Sequence, residues 1–356
     1  MTANESMIAK SDTQTAGPSG HVGDDTLLTI QYLRAAAALA VTIYHALQWA
    51  DGGFEIGRAG VDVFFVISGV VMWRITAGRT VTPGTFLVRR VTRVAPLYWI
   101  ITLAVCGIAL PWPGFLPEVL PDVGHLAMSL GFVPHFDPRG RPFPLLPPGW
   151  TLNYEAVFYL LFAAALTLPA RWRAIGVTAG LFAVVIAGFA LSDPAYLLGA
   201  NPMLLQFAAG LWLGVAMQKG ALPDRAWGVA MLLLGIVAFA GLQLTGFIDE
   251  LWRPLLWGVP AVMVVGGALS IETNGGVATS RPLKTLGDAS YALYLVHLPA
   301  TALVAHTLGW SHPWLFVVVS VAASVAAALA CHALIEKPTI AWLRRPSLSR
   351  RSIGGM

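Results

Sequence analysis

The chain has 356 residues, of which 56% are hydrophobic and only 11% charged, with a formal net charge of +4. Water-soluble domains carry about 25% charged residues, so this balance excludes an ordinary soluble fold. The basic excess is too small and scattered for a nucleic-acid binder; among apolar spans it reports orientation.

Residues 1–23 are polar and lack a basic n-region, an apolar core and a small-residue cleavage site. They read as a disordered tail rather than a signal peptide. Apolar windows then recur about ten times, near the roughly 20 residues a spanning helix needs. They cover residues 27–48, 59–76, 95–110, 151–168, 174–191, 202–217, 226–246, 251–270, 289–308 and 313–335. A basic connector precedes the third window, and a Pro-rich loop over 111–148 follows it, with a short interfacial stretch around 125–133. The expected fold is all-α, a polytopic transmembrane helical bundle of about ten spans. Its membrane domain covers 24–340 and a basic tail 341–356. Cys106 and Cys331 both fall inside apolar windows, so neither a disulfide framework nor a cysteine-based metal site is expected.

Ten spans would place both termini on one side. With the termini cytoplasmic, sixteen Lys and Arg residues fall inside, while Arg58, Arg139, Arg141 and Arg253 make four outside, leaving aside Lys10 and Arg34. The positive-inside rule supports that orientation. No inverted internal repeat of the transporter kind is evident.

Ionisable groups at membrane depth cost about 2.5–3.5 kcal/mol on insertion scales, so each calls for a reason. Arg34 and His45 share the first window, eleven residues apart. At about 100° per residue they share one helix face, some ~16 Å apart along the axis. Snorkelling for Arg34 and interfacial packing for His45 are the simpler alternatives. Asp62 and Glu155 lie near the outer ends of their windows, at the expected depth of His45. A His beside a carboxylate suits a general base acting on a hydroxyl, whereas a helix-capping role is the simpler reading of Asp62. On the cytoplasmic side, Arg90 and Arg93 share one face at i, i+3, with Arg74, Arg79 and Arg89 nearby. Such a cluster serves orientation and anionic lipid, or phosphate recognition by paired guanidinium donors. Ser290, Tyr294 and His297 form a polar stripe on the ninth window, as helix–helix glue or as the lining of a path. No nucleophile elbow, phosphate loop, zinc-protease motif or dinucleotide fingerprint is present.

Six stretches, "IQYLRAAAALAVTIYH", "GVDVFFVISG", "RRVTRVAPLYW", "PGWTLNYEAVFY", "LGDASYALYLVH" and "IEKP", follow one another in this order from about residue 28 to 338. In this order they resemble the membrane-bound acyltransferase-3 family, most of all its exopolysaccharide-production branch. The resemblance implies a ten-span acyltransferase domain in the bacterial cytoplasmic (inner) membrane. It would move an acyl group, usually acetyl from cytoplasmic acetyl-CoA, to a hydroxyl of a glycan or lipid-linked oligosaccharide. It implies no metal and no nucleic-acid partner, with membrane lipids and other exopolysaccharide-synthesis proteins as associates. It makes His45 the catalytic residue, matches Arg34, Arg90 and Arg93 to the acyl donor, and matches Asp62 and Glu155 to recurrent polar positions, from which either is expected to assist His45. Ser290, Tyr294 and His297 match further recurrent polar positions along the substrate path. Many relatives carry a fused soluble hydrolase-like domain after the bundle, and none is expected within residues 341–356. Two alternatives stay open: an acyltransferase using a small-molecule or macrolide sugar or a succinyl donor, and a glycan transporter or flippase.

Overall fold

A computed structural model describes residues 27–191, 201–246, 252–309 and 312–343. The expected tail over 1–23 and residues 344–356 of the basic tail lie outside the described residues. Every regular element among the described residues is helical.

Helix α1 (Leu28–Trp49) has no capping side chain of its own. Glu272, far along the chain, supplies one: the Leu28 and Thr29 amides donate to its two carboxylate oxygens at 2.7 and 3.0 Å. A carboxylate there satisfies orphan amides and complements the helix dipole. The contact fixes the height of α1, and with it the heights of Arg34 and His45.

After a 3₁₀ turn over Glu55–Ala59, α2 (Gly60–Thr76) follows directly. Helix α3 (Pro83–Ala109) opens on Thr82, whose side chain accepts from the Thr85 amide at 3.2 Å, with Pro83 just inside the start. The connector expected before residue 95 is therefore helix, and Arg89, Arg90 and Arg93 ride on its first turns. Hydropathy breaks at the arginines; helical hydrogen bonding does not. Pro96 lies inside α3, where neighbouring helices make a missing amide tolerable in a membrane bundle.

The Pro-rich loop contains α4 (Val123–Leu130), capped by Asp122, which accepts from the His125 amide at 2.8 Å. Beyond it come α5 (Trp150–Ala165), α6 (Ala170–Leu191), α7 (Leu205–Gln218) and α8 (Arg225–Thr245). They are followed by the short α9 (Arg253–Leu256), then α10 (Gly258–Thr273), α11 (Arg281–Asp288), α12 (Ser290–Leu308) and α13 (Pro313–Cys331). A π-helical turn, His332–Glu336, joins α13 to α14 (Lys337–Leu343).

Seven helical stretches among the described residues are long and apolar enough to cross a membrane. The ten sequence windows exceed that number for a physical reason. Helix α1 has 22 residues, yet Gln31, Arg34 and His45 dilute its hydropathy. Helices α5 and α7, at 16 and 14 residues, are shorter than a typical span.

Helices α1 and α2 stand at the centre. Helix α2 crosses α7 with backbones touching: a Cβ on Gly210 would lie 1.9 Å from the Val66 carbonyl oxygen, and one on Gly69 2.2 Å from that of Phe207. In lipid, close approach at small residues supplies the packing that the hydrophobic effect supplies in water. Helix α1 also packs along α11 and α12, while α8 rests on α10 and turns Leu233, Leu234 and Val237 outward.

Two buried histidines clasp the Pro-rich loop. His135 Nδ1–H donates to the Val133 carbonyl at 2.8 Å, which leaves its Nε2 to accept from His125 Nδ1–H at 2.7 Å. His125 Nε2 is buried with no hydrogen-bond partner among the described residues, so a proton taken up there finds no acceptor. Burial, then the neighbouring His135, hold His125 below its ordinary value, with Arg141 acting the same way and Asp137 and Asp122 opposing. The opened loop therefore binds the proton more readily, and its stability falls as pH drops through the ordinary histidine value of about 6.5. The protection of the amides across 123–135, corrected for the intrinsic pH dependence of exchange, is expected to be lower at about pH 5.5 than at about pH 7.5, and His125→Phe should remove the difference. Equal protection at both pH values in the unaltered protein would refute this.

Candidate active site

Helices α1, α2, α3, α5 and α12 enclose a cavity of about 170 Å³. Its polar wall includes Arg34, Ser68, Arg90, Arg93, Thr151, Glu155, Tyr159, Ser290, Tyr291 and Tyr294; Phe64, Phe65, Met72 and Phe207 help line the apolar side. Pockets that enclose a drug-sized ligand measure about 300–1,000 Å³, so this chamber admits one end of a large ligand.

Each polar group has a definite anchor. Arg34 Nε donates to Ser290 Oγ at 3.1 Å, tying α1 to α12. Glu155 Oε1 accepts from Ser68 Oγ at 3.1 Å and from the Tyr159 hydroxyl one turn on. Arg93 Nη1 pairs with Glu336 Oε1, and Glu336 Oε2 meets His332 Nδ1 at 2.7 Å. Arg90 Nε is buried with no hydrogen-bond partner among the described residues. Three guanidinium groups thus meet one carboxylate, Glu155, in the chamber lining, a surplus of positive charge there, with Glu336 behind Arg93 and Asp288 acting on Arg34 from outside the lining. A buried cationic chamber of this kind recruits an anion, and guanidinium forks suit phosphate oxygens.

A second level lies farther along the same two helices. The His45 ring stacks on His297 at 5.0 Å between centroids and 29° between planes. His297 is fully buried; its Nδ1–H donates to the Tyr294 carbonyl at 2.8 Å, and its Nε2 has no partner among the described residues. The Tyr294 ring, 5.9 Å from that of His297, faces the cavity, and its hydroxyl accepts from Thr151 Oγ1 at 3.1 Å. Helices α1 and α12 run in the same direction, with Arg34 beside Ser290 and His45 beside His297. A polar line therefore leads from the arginine chamber through Tyr294 and His297 to His45.

The structure brings together Arg34, Arg90, Arg93, Glu155, Ser290 and Tyr294 at the cavity, and His297 with His45 beyond it. It does not assemble the expected layer of His45, Asp62 and Glu155. No hydrogen bond among the described residues joins these three, because each is spoken for elsewhere. Glu155 belongs to the arginine chamber. Asp62 is fully buried, accepting from Arg253 Nη2 at 2.9 Å and from Gln206 Nε2 at 2.5 Å, and makes no capping bond. Arg253, expected in an outer loop, is its buried partner and stacks on the Trp257 ring at 4.5 Å. Sequence reasoning missed Ser68, Thr151, Tyr159 and Tyr291. Tyr159 had a usable signal, its i, i+4 spacing from Glu155; the others arrive from separate helices. Among the described residues, no three His, Cys, Asp or Glu side chains cluster as metal ligands.

The acyltransferase domain family matches residues 27–333. The exopolysaccharide production protein ExoZ of Rhizobium meliloti is 38% identical over 321 residues, covering 88% of this chain and 98% of that protein. The chain belongs to the acyltransferase-3 family. It is a membrane-bound O-acyltransferase and a multi-pass membrane protein. The peptidoglycan O-acetyltransferase OatA of Listeria monocytogenes is 26% identical over 354 residues, and the O-acetyltransferase OatA of Staphylococcus aureus 25% over 313. Those alignments cover 87% and 76% of this acyltransferase but only 55% and 50% of the two relatives, about half their length. No solved structure matches the chain.

Proposed function

We propose that this O-acyltransferase transfers acetyl from cytoplasmic acetyl-CoA to a hydroxyl of an exopolysaccharide, or of its lipid-linked repeat unit, in the bacterial inner membrane. The observation that carries the reading is the polar line from a cationic chamber to a stacked histidine pair, in a relative of ExoZ. Arg34, Arg90 and Arg93 hold oxygens of the donor's pyrophosphate, and the chamber's small volume suits that group with the adjoining start of the thioester arm, the adenosine end lying outside. Glu155 balances the arginines and keeps them oriented. His45 Nδ1 faces Gln48 Oε1 at 3.1 Å, which leaves Nε2 as the base. The acceptor O–H gives its proton to Nε2, its oxygen bonds the acetyl carbon, the C–S bond breaks, and CoA leaves as the thiol with that proton. The arginine-rich end faces the cytoplasm, and the termini lie on that side, with about ten crossings in all.

Purified protein in lipid nanodiscs, given acetyl-CoA and the isolated polymer or lipid-linked repeat, is expected to form acetyl esters on the glycan. Deleting the gene should leave the polymer exported but without those esters; export with full acetylation would overturn the reading. Competition between acetyl-CoA and succinyl-CoA decides which acyl group is used. Arg90→Gln is expected to weaken CoA binding about tenfold or more, the loss of a charge-assisted hydrogen bond of ~1.5–3 kcal/mol. Unchanged binding would move the donor site elsewhere.

A further inference from the structure

Arg90 and Arg93 share a helix face, but the structure holds them differently. Arg93 lines the arginine chamber on one side, and on the other it reaches Glu336 across a small second cleft formed with Pro96 and Ile340. Glu336 is nearly sealed off, its side chain 1% exposed against 26% for Arg93. Its two carboxylate oxygens are divided between Arg93 Nη1 and His332 Nδ1. His332 and Glu336 bound the π-helical turn at the end of α13, a departure from regular helix that recurs at functional positions. The Tyr291 ring lies 6.0 Å from the Arg93 guanidinium, and the Tyr291 hydroxyl is tied to the Val94 carbonyl at 2.7 Å. Arg93 is therefore gripped at one edge and flanked by an aromatic ring, whereas Arg90 Nε has no hydrogen-bond partner among the described residues.

Glu336 is too buried to stand alone as a charge, so Arg93 cannot leave it for an incoming anion without stranding a carboxylate in an apolar environment. The anion must come to Arg93. We infer that Glu336 is a positioning residue of the donor site, which through its ion pair fixes the Arg93 guanidinium so that its remaining donors meet the donor's phosphate oxygens. Arg90 is the adaptable member of the pair. The inference rests on the donor-site reading above and extends it to a residue beyond the matched domain, which ends at 333.

The test measures CoA binding to the full-length protein in nanodiscs, together with kcat and KM for acetyl-CoA. Glu336→Gln keeps the shape of the side chain and removes its charge. CoA binding and KM are expected to weaken about tenfold, ~1.4 kcal/mol, with kcat at saturating donor little changed. Glu336→Asp should recover part of the loss. Because Glu336→Gln leaves Arg93 without its counter-ion and costs stability of its own, Arg93→Gln and the double variant Arg93→Gln/Glu336→Gln complete a double-mutant cycle. A residue that acts through Arg93 adds no further loss once Arg93 is gone. Equal or tighter CoA binding by Glu336→Gln, or a further loss of binding on top of Arg93→Gln, would overturn the inference. If the unaltered protein binds no CoA, the donor-site reading falls and takes this one with it; if it binds and Glu336→Gln matches it, only the positioning role falls.

Discussion

His45→Ala is expected to lower acyl transfer by about 10²–10⁴-fold, the share a general base contributes, while the protein still inserts and still binds CoA. The two halves of this prediction come from one fact, that His45 does not line the arginine chamber. Arg34 and His45 share a helix but meet different neighbours, Ser290 at one level and His297 at the other. Removing the imidazole should leave the phosphate-binding end intact and silence the reacting end. The effect on kcat should therefore far exceed the effect on donor affinity. His297→Ala should cost less, because its ring supports His45 by stacking and need not touch the acceptor. Transfer and single-turnover kinetics in nanodiscs measure both. A stably inserted His45→Ala protein that still acetylates the glycan at the original rate would remove the catalytic assignment.

The sequence made some of this arrangement legible and hid the rest, and the division follows the range of the interactions. The apolar window 27–48 located α1 to within a residue at each end, and helical periodicity put Arg34 and His45 on one stripe and paired Arg90 with Arg93. These are consequences of one helix, and 3.6 residues per turn decides them. Depth read from span ends proved weaker evidence. Asp62, Glu155 and His45 all lie near expected outer ends, yet a depth says nothing about which neighbour a side chain turns toward. Glu155 turns to Ser68 and Tyr159, and Asp62 turns to an arginine 191 residues away. Hydropathy also cut α3 at its arginines, although a helix continues wherever charged side chains find protein rather than lipid. The same effect removed α1 from the apolar class: its polar residues are the reason it is central.

Arg253→Ala is expected to destabilise the protein by about 3–5 kcal/mol, because it strands the Asp62 carboxylate in the bundle interior. Asp62 is 0% exposed and Arg253 4%, and Gln206, at 2% exposure, is the other partner of Asp62. One amide cannot replace a guanidinium as counter-ion to a fully buried carboxylate. The pair links the start of α2 to α9, and through Gln206 to α7, so losing it loosens the wall on which Ser68 and Phe65 stand. Asp62→Asn/Arg253→Gln together should recover much of the loss, since removing both charges leaves no stranded ion. This separates two roles for Asp62 that co-location in depth could not. If Asp62 assists the base, Asp62→Asn lowers kcat per folded molecule at an unchanged unfolding temperature. If it is the counter-ion of Arg253, the unfolding temperature falls and kcat per folded molecule holds. The geometry favours the second outcome: both Asp62 oxygens are already committed to Arg253 and Gln206, and none is left to steer an imidazole.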